Sequence, residues 1–315
     1  MSAIVVCGEA LVDVVAAASP APDTPAALPP LQPALGGGPF NVAVTLGRLG
    51  STVSFCSAVS TDDYGEAIVA ALRHSGVDTA PTQRRAEPTS LALATLGPDG
   101  AARYTFYVTG TADALVADPG PFPPGVAAVC FGTLSLVLEP GASIYEAILR
   151  RCRDEDRLVA VDPNIRAAVI GDPDAYRRRF ASWLPAVDIL KCSDEDVAWL
   201  VAGPDGSGPA DWLAAGVAAV VMTAGDAGIT VTTATDSVHV PAPPTTVADT
   251  IGAGDSVMGA VMHRLERDGA LSRSAVRALD ASAWRRVAEF AADVAARTVA
   301  RPGADPPWAS ELRSD

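Results

Sequence analysis

The strongest chemical signal in this sequence is a glycine-rich segment that leads into a helix, Asp249-Thr-Ile-Gly-Ala-Gly-Asp255. Free amides at a helix N-terminus and the positive end of the helix dipole together make an anion-binding site. Gly252, Ala253 and Gly254 would let the backbone approach an oxyanion closely. Asp255 beside such a site can act as a base that takes a proton as the anionic group arrives. Spacing alone leaves open the alternative that Asp249 or Asp255 only caps the helix.

A second glycine-rich turn, Leu35-Gly-Gly-Gly-Pro-Phe-Asn41, also enters a helix. Its glycines would let a ligand lie against the backbone, and Asn41 can exchange hydrogen bonds with hydroxyl groups. Asp13 follows the first predicted strand at its carboxyl end, where open α/β sheets bind their ligands, and its carboxylate could bind two hydroxyls. A simple helix-entry turn and a solvated loop acid are the alternatives for these two segments.

Three more polar segments follow predicted strands. Asp162-Pro-Asn164-Ile-Arg166 suits a metal-water or phosphate shell, and its arginine suits a phosphate or substrate contact. Ser193 could cap the next helix while Asp196 faces the strand ends, although capping alone would also explain this pair. The turn at Thr223–Gly228 could lie against a nucleotide. Because the carboxyl ends of parallel strands share one edge of a sheet, we expect one cleft to collect these segments.

The elements that would position these residues alternate between buried strands and amphipathic helices. This alternation is typical of a largely parallel sheet that is covered by helices on both faces. Short apolar runs predict strands at residues 3–8, 53–58, 127–131, 158–162, 188–191 and 219–223. Helical spacing predicts helices at residues 40–49, 63–75, 141–154, 176–183, 194–201 and 280–297.

Two regions interrupt the alternation. Residues 16–35 are rich in alanine and proline and show no helical stripe. Residues 90–96 and 102–107 are typical of paired strands around the turn Gly97-Pro-Asp-Gly100. Together these regions predict a small β appendage over one edge of the main domain. For residues 16–35 the alternative is a disordered surface loop.

Composition excludes several classes of function. The formal net charge of −14 disfavours nucleic-acid binding, since the surface would repel phosphate backbones. Lys191 is the only lysine and no GxxxxGK[ST] occurs, so a phosphate site must use backbone amides, arginine or a metal. The five cysteines contain no CxxC pair and predict reduced thiols in a cytoplasmic protein. No apolar run approaches membrane-spanning length, so we expect no membrane association.

The two glycine-rich segments, residues 249–255 and 36–41, resemble the signatures of the ribokinase-like, phosphofructokinase-B type, carbohydrate kinases. The resemblance extends from Val5 to about Pro307. It implies a three-layer α/β/α sandwich with a mostly parallel central sheet and a small β-sheet lid. It also implies one kinase domain over residues 1–315, with lid segments inserted at about 12–35 and 88–112.

The resemblance assigns roles to individual residues. Asp255 would be the catalytic base, with Gly252, Ala253 and Gly254 as the anion hole. Ser193 and Asp196 match the family's Asn-x-x-Glu motif, and Asp196 would reach magnesium through water. The substrate residues would be Asp13, Gly36, Gly37 and Asn41, together with the arginines Arg103 and Arg166. The cofactor residues would be Asn164, Lys191, Ser193, Thr223, Gly225 and Gly228, and potassium would bind near Asp249 and Ile251.

Residues 103–107, 110–113, 131–136, 162–166 and 301–305 are similar to the fructokinase branch of that family. This similarity implies transfer of the γ-phosphoryl group of ATP, with Mg²⁺, to a primary hydroxyl of a small sugar, with fructose as the first choice. It also implies a homodimer formed through the lid. Ribose, 2-keto-3-deoxygluconate and nucleosides are the alternative substrates.

Two other classes of protein are alternatives to a kinase. A non-catalytic regulator on the same fold would be expected to lack Asp255. A Rossmann oxidoreductase would need GxGxxG after the first strand, and Gly8-Glu-Ala-Leu-Val-Asp13 does not supply it.

Overall fold

The computed structural model describes residues 3–16, 30–96, 102–203 and 206–312 of the chain. For residues 3, 16, 96, 102 and 103 it describes only the backbone. The strands are β1 (Ala3–Cys7), β2 (Leu11–Ala16), β3 (Leu31–Gly36), β4 (Val53–Cys56), β5 (Ala58–Ser60), β6 (Gln83–Arg85), β7 (Leu91–Leu96), β8 (Ala102–Tyr107), β9 (Val126–Gly132), β10 (Leu158–Asp162), β11 (Ile189–Ser193), β12 (Ala219–Thr223), β13 (Ile229–Thr233) and β14 (Ser237–Val240). The helices are α1 (Gly38–Leu49), α2 (Asp63–His74), α3 (Gly141–Asp154), α4 (Pro173–Trp183), α5 (Asp194–Val201), α6 (Pro209–Ala214), α7 (Ala253–Arg267), α8 (Arg273–Ala278) and α9 (Ala281–Val299).

Eight strands form the central sheet, in the order β14-β13-β12-β11-β10-β9-β1-β4. Neighbouring strands from β4 to β12 pair in parallel, and β13 and β14 add an antiparallel edge. The predicted mostly parallel sheet is therefore confirmed, and each predicted strand is present with small differences at its ends. The carboxyl ends of β1, β9, β10, β11 and β12 share one edge of the sheet, as a single cleft requires.

Successive side chains of a strand point to opposite faces of the sheet, and here both faces are buried. On β1, Ile4 and Val6 pack into a core with apolar side chains of α1, α2, α7, α8 and α9. Val5 and Cys7 pack into a second core with side chains of α3, α4, α5 and α6. The result is the predicted three-layer sandwich. No helix in the described part of the chain is long and apolar enough to span a bilayer.

A separate sheet of four strands, in the order β3-β2-β7-β8, forms the small lid that the sequence predicts. β2 pairs antiparallel with β3 and parallel with β7, and β7 pairs antiparallel with β8. The strand β3 ends at Gly36, so the end of the alanine- and proline-rich region is ordered sheet. Residues 17–29 and the predicted turn at 97–100 lie outside the described residues.

Candidate active site

The glycine-rich turn before α7 presents backbone amides at a helix N-terminus. Gly252 caps α7 with a left-handed backbone, at a φ of 76°. The first helical hydrogen bond runs from the Ser256 amide to the Gly252 carbonyl at 2.8 Å. Gly254 and Asp255 come before Ser256 in the chain, so their amides have no helical partner and are free to bind an anion. The Ala253 amide instead donates to the Thr250 carbonyl at 3.3 Å. Of the three predicted anion-hole residues, Ala253 is thus the one whose amide already donates to the backbone.

Neither aspartate of this segment caps α7 within the described structure, where no side chain makes a cap hydrogen bond to this helix. Asp249 instead holds the turn itself. Its Oδ1 accepts from the Ile251 amide at 3.0 Å, and its Oδ2 accepts from the Gly303 amide at 2.9 Å. Asp249 thus ties the turn to the loop that follows α9, and Asp255 is left for another role.

Asp255 is buried at the junction of α1 and α7. Its Oδ2 accepts a hydrogen bond of 2.8 Å from Nδ2 of Asn41, and its Oδ1 lies 3.4 Å from Nδ2 of Asn164. Burial raises the pKa of Asp255 above its ordinary value, while the Asn41 hydrogen bond and the charges of Lys191 and Arg166 oppose the rise. A carboxylate with a raised pKa is a stronger base, which suits proton transfer from a hydroxyl.

The single lysine lies close to the first turn of α7. Nζ of Lys191 donates to Oδ2 of Asp162 at 2.9 Å, and both side chains are buried. Burial lowers the pKa of Lys191, but the carboxylates of Asp162, Asp255 and Asp196 together more than offset this and the pKa is raised overall. A Cβ atom at position 254 would lie 2.6 Å from Nζ, so only glycine lets the ammonium approach α7 so closely. The lysine therefore places a fixed positive charge beside the free amides.

Asp196 organises the loop that follows β10. Its Oδ1 accepts from the Ile165 amide at 2.6 Å and its Oδ2 accepts from the Ser193 amide at 2.8 Å. Oγ of Ser193 in turn accepts from the Asp196 amide at 3.0 Å, so the predicted helix cap is present as a reciprocal capping box. Arg166 is held by its own loop, where Nη1 donates to Oδ1 of Asn164 at 2.7 Å.

Asp13 projects from the lid strand β2 toward the same cleft. Burial and the nearby Asp255 carboxylate raise the pKa of Asp13 to about 6, although Arg166 opposes this shift. Gly36 pairs with Leu11 next to it, and a Cβ at position 36 would overlap Oδ2 of Asp13. The side chain of Arg103 lies outside the described residues.

Two cavities meet at the start of α7. The first, of about 650 Å³, lies between the strand ends and the lid. The second, of about 500 Å³, has mostly apolar walls from β13, the segment before α7 and α9, and it contains Gly225, Gly228 and Ala253. Thr223, Thr250 and Gly254 line both cavities. Of the residues predicted from the sequence, the first cavity collects Asp13, Gly37, Asn41, Asn164, Arg166, Lys191, Ser193, Asp196, Thr223, Ile251, Gly252, Gly254 and Asp255.

Several residues of the first cavity were not among the predicted site residues, and Glu9, Gly38 and Thr133 are three of them. Burial raises the pKa of Glu9 to about 8. Thr133 has a left-handed backbone, with a φ of 57°. Two signals were present in the sequence: Thr133 lies in the fructokinase-like stretch 131–136, and Gly38 lies in the second glycine-rich turn.

The chain is similar to known proteins over nearly its whole length. The profile of the pfkB family carbohydrate kinases matches residues 1–310. The fructokinase of Rhizobium leguminosarum bv. trifolii is 35% identical over 285 residues, which cover 90% of this chain and 85% of that protein. The fructokinase of Xylella fastidiosa with bound ATP has a similar structure, with a TM-score of 0.86, 25% identity and coverage of 96% of this chain and 93% of that one. A fructokinase double mutant of Vibrio cholerae O395, in a form with bound fructose, ADP and potassium, is similar at a TM-score of 0.79, with 23% identity and coverage of 96% and 94%.

Proposed function

The chain belongs to the pfkB family of carbohydrate kinases, and from this membership we propose that it transfers the γ-phosphoryl group of ATP to a primary hydroxyl of fructose. The observation that carries the proposal is the position of Asp255. Its carboxylate is held by Asn41 at the N-terminus of α7, where the two cavities meet. A sugar in the first cavity and a nucleotide in the second would bring hydroxyl and phosphate together at this carboxylate.

In the proposed reaction, Asp255 takes the proton of the sugar hydroxyl. The sugar oxygen then forms a bond to the γ-phosphorus while the bond from that phosphorus to ADP breaks and ADP leaves. The free amides at the start of α7 would stabilise the negative charge that spreads over the transferred group. Tyr104 and Phe106 of the lid line the sugar cavity, so a closed lid would exclude water, which would otherwise compete as the acceptor.

We assign Asp13 to the sugar, because its carboxylate lines the first cavity and faces the lid side of the cleft. We expect Asp13→Ala to raise the KM for fructose by about tenfold or more, since hydrogen bonds to a charged group are worth about 1.5–3 kcal/mol each. The KM for ATP should stay unchanged. Coupled measurement of ADP release over a range of fructose concentrations checks this.

The exposed Asp63→Ala serves as the matched control for a general loss of charge. An unchanged fructose KM in Asp13→Ala would contradict the assignment of Asp13. No ADP release from fructose and ATP by the wild-type enzyme would contradict the proposed function itself.

We further propose that Mg²⁺ enters with ATP, where it would neutralise charge on the phosphates. The described residues contain no cluster of three or more potential metal-binding side chains, which fits an ion held mainly by phosphate oxygens and water. Asp196 and the exposed Glu195 line the first cavity and would contact that water shell. Because both oxygens of Asp196 already accept backbone hydrogen bonds, contact through water suits it best.

We propose a monovalent cation near Asp249 and Ile251, and the existence of a potassium-bound form of the Vibrio cholerae enzyme supports a role for such an ion. The turn that holds these residues would also form the anion hole, so an ion there would affect turnover. ADP release measured with and without K⁺ tests this proposal.

We also propose a homodimer formed through the lid. Leu11, Asp13 and Ala92 line the cavity, so the alternate residues of β2 and β7 face away from it. That outer face is apolar: Val14 pairs with Leu93, and Tyr107 and Leu31 are more than half exposed. A second copy of the same sheet would cover this patch. Light scattering at micromolar concentration tests it, and a monomer would contradict it.

The remaining proposals concern organisation and location. The four lid strands belong to segments that interrupt the α/β core, which supports one kinase domain over residues 1–315 with insertions at about 12–35 and 88–112. All five cysteines are buried free thiols, which supports a cytoplasmic location.

A further inference from the structure

The turn after β9 holds a threonine in a backbone conformation that threonine rarely adopts. Thr133 begins a short 3₁₀ helix, Thr133–Leu136, with a φ of 57°. β-branched side chains are disfavoured in this left-handed region, so the conformation costs free energy unless surrounding contacts impose it. Strain of this kind concentrates at ligand-binding positions. Thr133 is also buried and lines the proposed sugar cavity.

A buried carboxyl group binds the turn that contains Thr133. Oε2 of Glu9 accepts a hydrogen bond of 2.9 Å from the Ser135 amide, and Oγ of Ser135 donates to the Gly132 carbonyl at 2.5 Å. Glu9 is only 1% exposed, and its Oε1 is buried without a hydrogen-bond partner in the described structure. Burial of such a poorly solvated carboxyl group costs free energy, and we take its bond to this turn as the reason for its position.

The turn directs the Thr133 hydroxyl toward the reacting centre. Its Oγ1 lies 3.4 Å from Nδ2 of Asn164, the same nitrogen that approaches Oδ1 of Asp255. A Cβ at Gly38 would lie 2.3 Å from Oγ1 of Thr133 and 3.3 Å from Oδ1 of Asp255, so both atoms face the open side of that glycine. Within the described ranges the Thr133 hydroxyl accepts from Asn164 and donates to no protein group. Its proton is therefore available to a ligand.

We propose that Thr133 is a specificity-determining residue that donates a hydrogen bond to a sugar hydroxyl beside the one that is phosphorylated, and that Glu9 is the positioning residue that holds its turn. The inference rests on the proposed sugar kinase activity and adds a contact to it. A sugar lacking the matching hydroxyl, or carrying it in the opposite configuration, would leave the Thr133 hydroxyl unsatisfied.

The test compares Thr133→Val with Thr133→Ser. Valine keeps the branched shape and removes only the hydroxyl, whereas serine keeps the hydroxyl. We expect Thr133→Val to raise the fructose KM about tenfold without changing the KM for ATP, and Thr133→Ser to stay within about threefold of the wild type. Equal KM values for the valine variant and the wild type would overturn the proposal.

Monodeoxy analogues of fructose separate a direct contact from a structural effect. One analogue should bind more weakly than fructose to the wild-type enzyme, as measured by calorimetry. In Thr133→Val that analogue and fructose should bind with equal affinity. If the affinity difference between fructose and each analogue is the same in the wild type and in Thr133→Val, the proposed contact of Thr133 with the sugar is contradicted. If the wild-type enzyme does not phosphorylate fructose at all, the proposed function fails, and this outcome is distinct from failure of the Thr133 contact alone.

A double-mutant cycle tests Glu9. We expect Glu9→Ala to raise the fructose KM in the wild-type background and to have no further effect in the Thr133→Val background. If Glu9→Ala does not fold, Glu9→Gln keeps the shape and serves in the same cycle. An equal effect in both backgrounds would show that Glu9 does not act through Thr133.

Discussion

Replacement of Asp255 by asparagine is expected to lower kcat by at least about 10²-fold, because general-base catalysis contributes roughly 10²–10⁴ to a rate. The variant can no longer take the proton of the sugar hydroxyl. The substitution removes the base but keeps the contact with Asn41, because an asparagine at position 255 can still accept the hydrogen bond of Asn41 through its carbonyl oxygen. Sugar affinity should therefore change little.

Turnover and sugar affinity are measured on the same preparation, by ADP release and by calorimetry, with thermal unfolding as the check of folding. The exposed Asp63→Asn is the matched control for loss of one carboxylate elsewhere. Near-normal turnover in a folded Asp255→Asn variant would contradict the assignment of Asp255 as the base. A variant with weak sugar binding and intact kcat would instead place Asp255 in substrate binding.

The second large effect is expected for Lys191→Met, with a loss in kcat of about 10²-fold. The ammonium group lies against Gly254 at the proposed anion hole, where a fixed positive charge would stabilise the charge on the transferred phosphoryl group. Removal of one such stabilising donor costs about 10²–10³-fold in other enzymes. The ATP KM and kcat are both obtained from ADP release.

This variant needs a control for stability, because it leaves Asp162 buried without its partner. Breaking a buried ion pair costs about 3–5 kcal/mol, and burial already raises the pKa of Asp162 to about 6. The double variant Asp162→Asn with Lys191→Met removes the uncompensated carboxylate. It should recover thermal stability while its kcat stays low. Recovery of kcat in the double variant would show that Lys191 only neutralises Asp162.

Much of this site could be predicted because its residues sit at the ends of strands whose apolar runs are local in sequence. The runs predict β10 and β11, and parallel pairing places the loops after these two strands at one edge of the sheet. Asn164, Arg166 and Ser193 were grouped in this way, and all three line the first cavity. The capping role of Ser193 was also visible, because a capping box depends only on residues that are close in the chain.

Contacts between distant parts of the chain were not predictable in this way. The hydrogen bond from Asn41 to Asp255 joins residues 214 positions apart, and the parallel pairing of β2 with β7 joins two lid segments that periodicity cannot connect. The left-handed backbone of Thr133 was hidden because intrinsic preference argues against it. The turn is held by a tertiary contact, the hydrogen bond from the Ser135 amide to Glu9, which local sequence does not reveal.

Steady-state ADP release from ATP, measured over fructose, ribose, 2-keto-3-deoxygluconate and a nucleoside in the presence of K⁺ and Mg²⁺, tests the central claim most directly. The proposed function predicts that fructose has the highest kcat/KM of the four acceptors, by about tenfold or more. It also predicts that this activity is lost in Asp255→Asn. A higher kcat/KM for another acceptor, or fructose phosphorylation that persists in Asp255→Asn, would contradict the account.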